Sequence, residues 1–396
     1  MGASISPLPV LCLSVGTALG GSERCLLDFA ALAPELGLRP TVLVPRDGQL
    51  REALVARGVS VRVAPAPDDL LDQSQQPGTA VDAVAFGAGL IAWSRAISRE
   101  AEHVEGGERA LLYSNGYKAH LATLLFPLRR RVWHLHEFPP ERAGLAWKLA
   151  LKAGPHGAIA NSFAVAEAWG VGATVVHNGV DTTLFRPAPR TGWLHEQLGI
   201  PGAARLIGMP AAFARWKGQL LVTEAFERIA PEQRGVHLAI IGGPIYDTKA
   251  ERGYAEELVR RVGRSEVRER IHFVKFQTEP WRLYPELDVA IHASTKPEPF
   301  GRVIVEAMAS GTPIIASDAG GPREILEPGR TGWLVKPDDA DALAAALREV
   351  LDPAHAARRI AIVEAARQVA TERFGVQRFA AGVAAVIRRA ADPTAR

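Results

Sequence analysis

Two glutamates, Glu298 and Glu306, stand eight positions apart in the stretch HASTKPEPFGRVIVEAMASGTPIIASDAGGPREIL (292–326). Pro299, Phe300 and Gly301 follow the first directly. LDVAIHAS (287–294) reads as an apolar strand and VIVEAMAS (303–310) as a helix opened by Gly301. TPIIAS (312–317) is a second buried strand, and Gly320 and Gly321 begin another turn. A helix N-terminus delivered to the C-terminal edge of a parallel sheet favours phosphate, through its N–H groups and the positive end of its dipole. Arg302 and Val303 would supply N–H groups there. Glu306, a turn into the helix, could accept hydrogen bonds from the vicinal hydroxyls of a ribose. Glu298, before the turn, would face whatever lies beyond the phosphate.

Positioning these groups takes a large scaffold. A chain of 396 residues exceeds what one hydrophobic core usually spans, so two domains are expected. Strand and helix signals alternate through both halves, which argues an α/β fold with parallel sheets. Strand-like runs in the first half are VLCLSV (10–15), TVLVP (41–45), VSVRV (59–63), ALLYSN (110–115), RVWHLH (131–136), GAIANS (157–162) and TVVHNG (174–179). Residues 64–80, rich in Pro, Asp and Gln, read as a surface loop or a poorly ordered insertion, and 180–202, with Pro187, Pro189 and Pro201, as an interdomain crossover. The alternation restarts at ARLIGMP (204–210) and runs through HLAIIGG (237–243), IHFVKF (271–276) and GWLVK (332–336). Three helical segments, near 339–352, 354–372 and 376–392, end the chain.

Several segments together resemble the retaining GT-B glycosyltransferases of the glycosyltransferase family 4 (group 1) type, whose signature is E-x7-E. LGGSERCLLDFA (19–30) is similar to the family's first glycine loop and helix, and HLHEFPP (134–140) to its acceptor-side histidine segment. VVHNGVDTTLFRP (175–187) is similar to its hinge motif, and WKGQLLVTEAF (216–226) to its phosphate-binding lysine segment. The resemblance implies two doubly wound Rossmann-like domains facing across a cleft, 1–187 on the acceptor side and 188–375 binding the nucleotide sugar. Residues 376–396 would form a helix packing back on the N-terminal domain. It implies transfer of a sugar from a nucleotide diphosphate sugar, UDP first and GDP next, to an acceptor hydroxyl with retention, needing no metal or other cofactor. The leaving phosphate oxygen would take the acceptor's proton.

The resemblance assigns roles residue by residue. Glu298 would contact the donor sugar near the developing oxocarbenium charge, and Glu306 would hold the ribose. Phe300 and Gly301 would act through backbone N–H groups. Lys217 would clamp the pyrophosphate, where a fixed cation stabilises the charge that grows as the glycosidic bond breaks. A lysine beside a helix start opposes the dipole and needs a compensating anion. Gly20 and Gly21 would let backbone approach the phosphates, and His136 would orient the reacting hydroxyls. Asn178 and Asp181 read as turn formers. The family usually carries an arginine five residues before that lysine, where this chain has Ala212. Arg215 or Arg302 could substitute, with Arg302 preferred because its backbone lies at the phosphate turn. Without a substitute, the chain would be a sugar-nucleotide-binding protein of weakened activity. Another GT-B activity, such as an epimerase or a synthase of a small glycoside, is the nearer alternative.

Other readings are excluded or weak. Net charge of +3 gives no case for nucleic acid binding, and two cysteines cannot make a secreted disulfide framework. The glycine loop lacks the G-x-G-x-x-G spacing of a dinucleotide oxidoreductase. Asp339 and Asp341 have D-x-D form but sit where helix caps belong. No apolar run reaches the length of a membrane span, which points to a cytoplasmic protein. Met1–Ser6 fits the short myristoylation pattern, a weak signal. FPLRRR (126–131) and AGLAWKLALK (143–152) raise peripheral contact with the inner face of a membrane and a lipid-linked acceptor, against the plainer reading of a strand flank and a packed helix.

Overall fold

The computed structural model describes residues 6–72, 80–140, 154–244, 251–392 and 394. The chain divides into two compact units, Met1–Gly179 with Val376–Arg396, and Val180–Gly375. The division falls before the expected 187/188 because Val180 already pairs within the second unit. Its N–H donates to Phe374 O at 2.9 Å, and the residue bridges Gly375 in parallel.

The first unit holds a parallel sheet of β1 (Leu8–Ser14), β2 (Leu38–Val44), β3 (Ser60–Val63), β4 (Leu111–Asn115), β5 (Arg131–Leu135), β6 (Gly157–Ala160) and β7 (Thr174–Val175). Their order is β3-β2-β1-β4-β5-β6-β7. The second unit has β8 (Arg205–Pro210), β9 (Val236–Ile241), β10 (Ile271–Val274), β11 (Val289–His292), β12 (Ile314–Ser317) and β13 (Trp333–Val335), ordered β10-β9-β8-β11-β12-β13, again parallel. Strands β1, β4, β8 and β11 are almost wholly buried, as strands of a sheet covered on both faces must be. The order reverses between β1 and β4 in one unit and between β8 and β11 in the other. Loops leaving the carboxyl ends of such a strand pair diverge and leave room for a ligand.

Capping and packing account for several expected features. Asp339 Oδ1 accepts from Ala342 N–H at 2.9 Å, and Asp341 pairs with Arg228 at 2.9 Å, so the D-x-D pair starts the helix Ala340–Leu351. Asp181 Oδ1 accepts from the Thr183 N–H and hydroxyl, the turn chemistry foreseen for it. The last helix, Val376–Ala391, buries Phe379, Val383, Val386 and Ile387 in the core of the first unit beside Cys12 and Tyr113. The basic run 129–131 is spent on backbone carbonyls. Arg129 donates to Gly107 O at 2.9 Å, Arg130 to Ala390 O at 3.0 Å, and Arg131 to Thr123 O and Phe126 O at 3.1 Å each. The companion segment 143–152 lies outside the described residues. No described helix is long and apolar enough to cross a membrane.

Two segments depart from their expected character. The 64–80 loop contains the helix Asp68–Asp72, because Leu70 is fully buried against Phe86 and Trp93; residues 73–79 are outside the described part. The 180–202 crossover contains the helix Trp193–Leu198. Its entry is fixed by the buried Glu286 carboxylate, which accepts from Thr191 N–H and hydroxyl at 2.8 and 2.9 Å and from Gly192 N–H at 3.0 Å.

A polar ladder runs across the carboxyl end of the first sheet. Three consecutive residues of β4 each bond a histidine: Tyr113 OH to His134 Nδ1 at 2.5 Å, Ser114 Oγ to His120 Nδ1 at 2.7 Å, and Asn115 Oδ1 to His136 Nε2 at 2.7 Å. Burial, reinforced by the nearby His136, pushes His120 down to about 3 from 6.5. The unfolded chain therefore takes up this proton below pH about 6.5 while the folded chain does not until about 3. The stabilisation is complete above the upper value and is lost as pH falls between the two. Between pH 7 and pH 5 the wild type should lose about 2 kcal/mol more stability than His120→Gln. Urea unfolding of both proteins at the two pH values measures this, and parallel losses would refute it.

Candidate functional site

The second unit gathers its chemistry where β8 and β11 part. Beyond β8 the chain makes a 3-10 turn, Arg215–Lys217, closed by Gly218 at φ +82°. A Cβ on Gly218 would collide with the Ala293 carbonyl oxygen just past β11. Thr295 N–H donates to Trp216 O at 2.8 Å. Those contacts fix the Lys217 turn to the end of β11, and the Lys217 ammonium lies 3.9 Å from the Trp216 ring centroid.

Glu298 meets the lysine there. Its N–H donates to Ala319 O at 3.3 Å and its carbonyl accepts from Gly321 N–H at 2.8 Å, stitching the glutamate loop to the second glycine turn. Gly320, at φ +74°, passes so close that a Cβ would strike the Glu298 backbone. The Glu298 carboxylate is buried, and three donors converge on one oxygen. Lys217 Nζ and Ser294 Oγ lie 2.8 Å from Oε2, and His292 Nε2 lies 3.1 Å from it. Burial alone would raise this carboxyl. The Lys217 charge and the His292 and Lys217 hydrogen bonds outweigh it and hold the group well below the usual carboxylate range. The anion that Lys217 needed is Glu298 itself.

Gly301, at φ +96°, opens the helix Arg302–Ser310, and no side chain caps that end. Val303 lies in the first turn. Phe300 is buried with its ring 6.0 Å from Phe374, so only its backbone faces the turn region as a candidate contact. Glu306 is buried, its Oε2 accepting from Tyr284 OH at 2.7 Å and its Oε1 lying 3.5 Å from Arg302 Nε. The two candidate replacements for the missing arginine both face carboxylates. Arg302 turns to Glu306, and Arg215 pairs with Glu257 at 2.5 Å while its N–H donates to Glu251 at 2.8 Å.

In the first unit, Gly20 caps the helix Gly21–Leu32. The Glu23 side chain folds over the loop: a Cβ on Gly16 or Gly20 would run into its carboxylate, which accepts from Ser22 Oγ at 3.0 Å. Burial raises this carboxyl against the lowering effect of its hydrogen bonds. A phosphate at the glycine loop would meet that group first, which the bare glycine pair did not reveal. His136 sits at the end of β5. Asn115 Nδ2 donates to Ser22 O at 3.2 Å, so its Oδ1 is left to accept, and His136 Nε2 carries the proton. Asn161 Nδ2 donates to His136 O at 3.2 Å.

The structure thus unites Lys217 with Glu298, and Arg302 with Glu306, on the second unit. Sequence reasoning missed His292, Ser294, Tyr284 and Asn115. His292, Ser294 and Asn115 stand at or just beyond the ends of apolar strands, the same signal that drew attention to His136. Gly218→Ala should destabilise the second unit by about 1–3 kcal/mol, from left-handed strain plus the Ala293 clash. Urea denaturation checks this, and an unchanged midpoint would show that the close approach is not needed.

Residues 193–369 match the family model for glycosyl transferases group 1. The chain is 33% identical to D-inositol 3-phosphate glycosyltransferase 2 of Catenulispora acidiphila over 225 residues, 55% of this chain and 51% of that protein. It is 31% identical to the lipopolysaccharide core biosynthesis mannosyltransferase LpcC of Rhizobium leguminosarum bv. viciae, over 54% of this chain and 58% of that one. The chain spans about half the length of the curated relatives it matches. Across nearly the whole chain it is similar in structure to Anabaena HepE in complex with UDP-glucose, with a TM-score of 0.80, 26% identity, and 96% and 99% of the two chains covered. Sucrose-phosphate synthase from Thermosynechococcus elongatus, at 19% identity and a TM-score of 0.74, shares the fold. Residues 193–369 thus resemble the glycosyl transferases group 1 family, within a chain of two Rossmann-like α/β units of the GT-B fold class.

Proposed function

We propose that this chain is a retaining glycosyltransferase that moves a sugar from a nucleoside diphosphate sugar to an acceptor hydroxyl, without a metal ion. The observation that carries this is the meeting of Lys217, Glu298 and the uncapped end of the helix Arg302–Ser310 where β8 and β11 part. An ammonium and a helix N-terminus suit a diphosphate, and a buried, ionised carboxylate beside them suits a sugar acquiring positive charge. Glu306 holds the ribose, and Lys217 stabilises the leaving diphosphate. The UDP-glucose held by HepE makes UDP-sugars the first candidates, with GDP-sugars next. The relatives named for inositol phosphate and lipopolysaccharide core make a polyol phosphate or a glycan the acceptors to try first. His136, its tautomer set by Asn115, orients the acceptor hydroxyl.

Thermal stabilisation by UDP-, GDP-, ADP- and dTDP-sugars, with a chelator present, tests the donor. A ligand at ~100 times its dissociation constant adds ~2.7 kcal/mol to the folded state. One nucleotide should raise the melting temperature clearly, and Lys217→Met should abolish the rise. No shift from any donor with well-folded protein would remove the reading. His136→Ala should leave that shift intact and lower turnover by about 100-fold or more, the scale of lost positioning and proton handling. Equal turnover would sink its assigned role. A sugar-nucleotide-binding protein without turnover is the second reading. It is favoured by Ala212, since Arg215 and Arg302 are paired with Glu257 and Glu306. Such a protein would shift with donor yet release no diphosphate with any acceptor.

A further inference from the structure

We propose that His292 is a positioning residue that, with Ser294, keeps Glu298 fixed when Lys217 is drawn away to a diphosphate. The inference rests on the nucleotide-sugar reading and adds a residue to it.

Lys217 has two conflicting duties. Lys217 cannot give its full charge to a diphosphate while paired with Glu298 at 2.8 Å. Its stem is flexible, and its ammonium needs to move little to exchange one anion for another. If Lys217 alone held Glu298, donor binding would leave a buried carboxylate without a partner at the moment when its charge and direction matter. An uncompensated buried charge is among the most costly changes a site can suffer.

His292 and Ser294 remove that difficulty. His292 belongs to β11, paired to Ala316 of the neighbouring strand, so its backbone does not follow the lysine. Ser294 Oγ lies 2.8 Å from Glu298 Oε2 and 3.1 Å from His292 Nε2, closing a triangle on one oxygen. The histidine's other nitrogen, Nδ1, is buried with no hydrogen-bond partner. Placing the proton on Nδ1 would bury an unsatisfied N–H and set the Nε2 lone pair against a carboxylate oxygen. Placing it on Nε2 leaves only an unpaired acceptor and makes a charge-assisted bond to Glu298. The geometry therefore selects the Nε2–H form. Every donor within reach converges on Oε2, and among the described residues none reaches Oε1. Glu298 is thereby held by one oxygen and presents the other to a ligand.

The closing experiment measures affinities of UDP, UDP-glucose, GDP and GDP-mannose by calorimetry for the wild type, His292→Phe and His292→Gln. The wild type should bind one sugar nucleotide more tightly than its parent diphosphate. His292→Phe should keep diphosphate affinity and lose that sugar increment, by about tenfold, as expected for a bond to a charged group. His292→Gln, whose amide N–H can stand at the Nε2 position, should recover most of it. An undiminished increment in His292→Phe overturns the proposal and leaves the nucleotide-sugar reading standing. A wild type that binds none of the four overturns the proposal, and one that also shows no thermal shift with the ADP- and dTDP-sugars overturns the nucleotide-sugar reading with it. Should His292→Phe not fold, NMR of the histidine-labelled wild type decides. The Nε2–H tautomer of His292 should persist when the bound diphosphate is at saturation, and a change to Nδ1–H overturns the proposal.

Discussion

The second unit depends on burying a carboxylate beside a lysine at the point where two parallel strands separate. Burial alone would raise the Glu298 carboxyl there, and Lys217 would sit against a helix start with nothing to balance it. Each group makes the other tolerable, and the surrounding backbone exists to hold them at hydrogen-bonding distance. Gly218 and Gly320 are needed because two chain segments pass too close for a side chain. The lysine turn is pinned by Thr295, and the glutamate loop by Ala319 and Gly321. A pair of this kind adds little net stability, since desolvation offsets most of the attraction, yet removing one member is costly. That asymmetry suits a site in which one partner is exchangeable for a ligand anion of the same sign.

The polar groups of the first unit follow a different rule. Burial disfavours the charged form of His120 and His134, and the last three residues of β4 orient His134, His120 and His136 in turn. The His134 and His136 ring centroids are 3.9 Å apart, which neutral rings tolerate and two charged rings would not. Neutrality is thus a packing requirement before it is a chemical one.

Much of the architecture was legible because buried parallel strands leave an unmistakable trace. Unbroken runs such as VLCLSV and HLAIIGG have no polar alternation to blur them, and each is a strand in the structure. Short helices were harder. Tyr117–Thr123 and Trp193–Leu198 are too brief for a helical period to declare itself, and the second is held by a buried carboxylate, Glu286, far along the chain. The same limit hid the partners of the site residues. Glu298 and Glu306 announce themselves by spacing, but Tyr284 reaches Glu306 through folding alone, and no local pattern marks it. Glu23, lying over the glycines it follows, could not be told from a solvated helix glutamate.

Arg129, Arg130 and Arg131 show how a run of charge in a sequence can be tied to the fold's own carbonyl groups. Each guanidinium donates to carbonyl oxygens of the fold itself, Arg129 at the 3-10 turn Gly107–Arg109, Arg131 at the end of the helix Tyr117–Thr123 and Arg130 at the end of the last helix. Substituting these arginines would therefore loosen chain ends and turns rather than simply thin an electrostatic field. A mutant series designed to measure attraction to an anionic surface would read unfolding as lost affinity. Lysine replacements, which keep the charge but cannot reproduce the forked donor geometry, would separate the two effects.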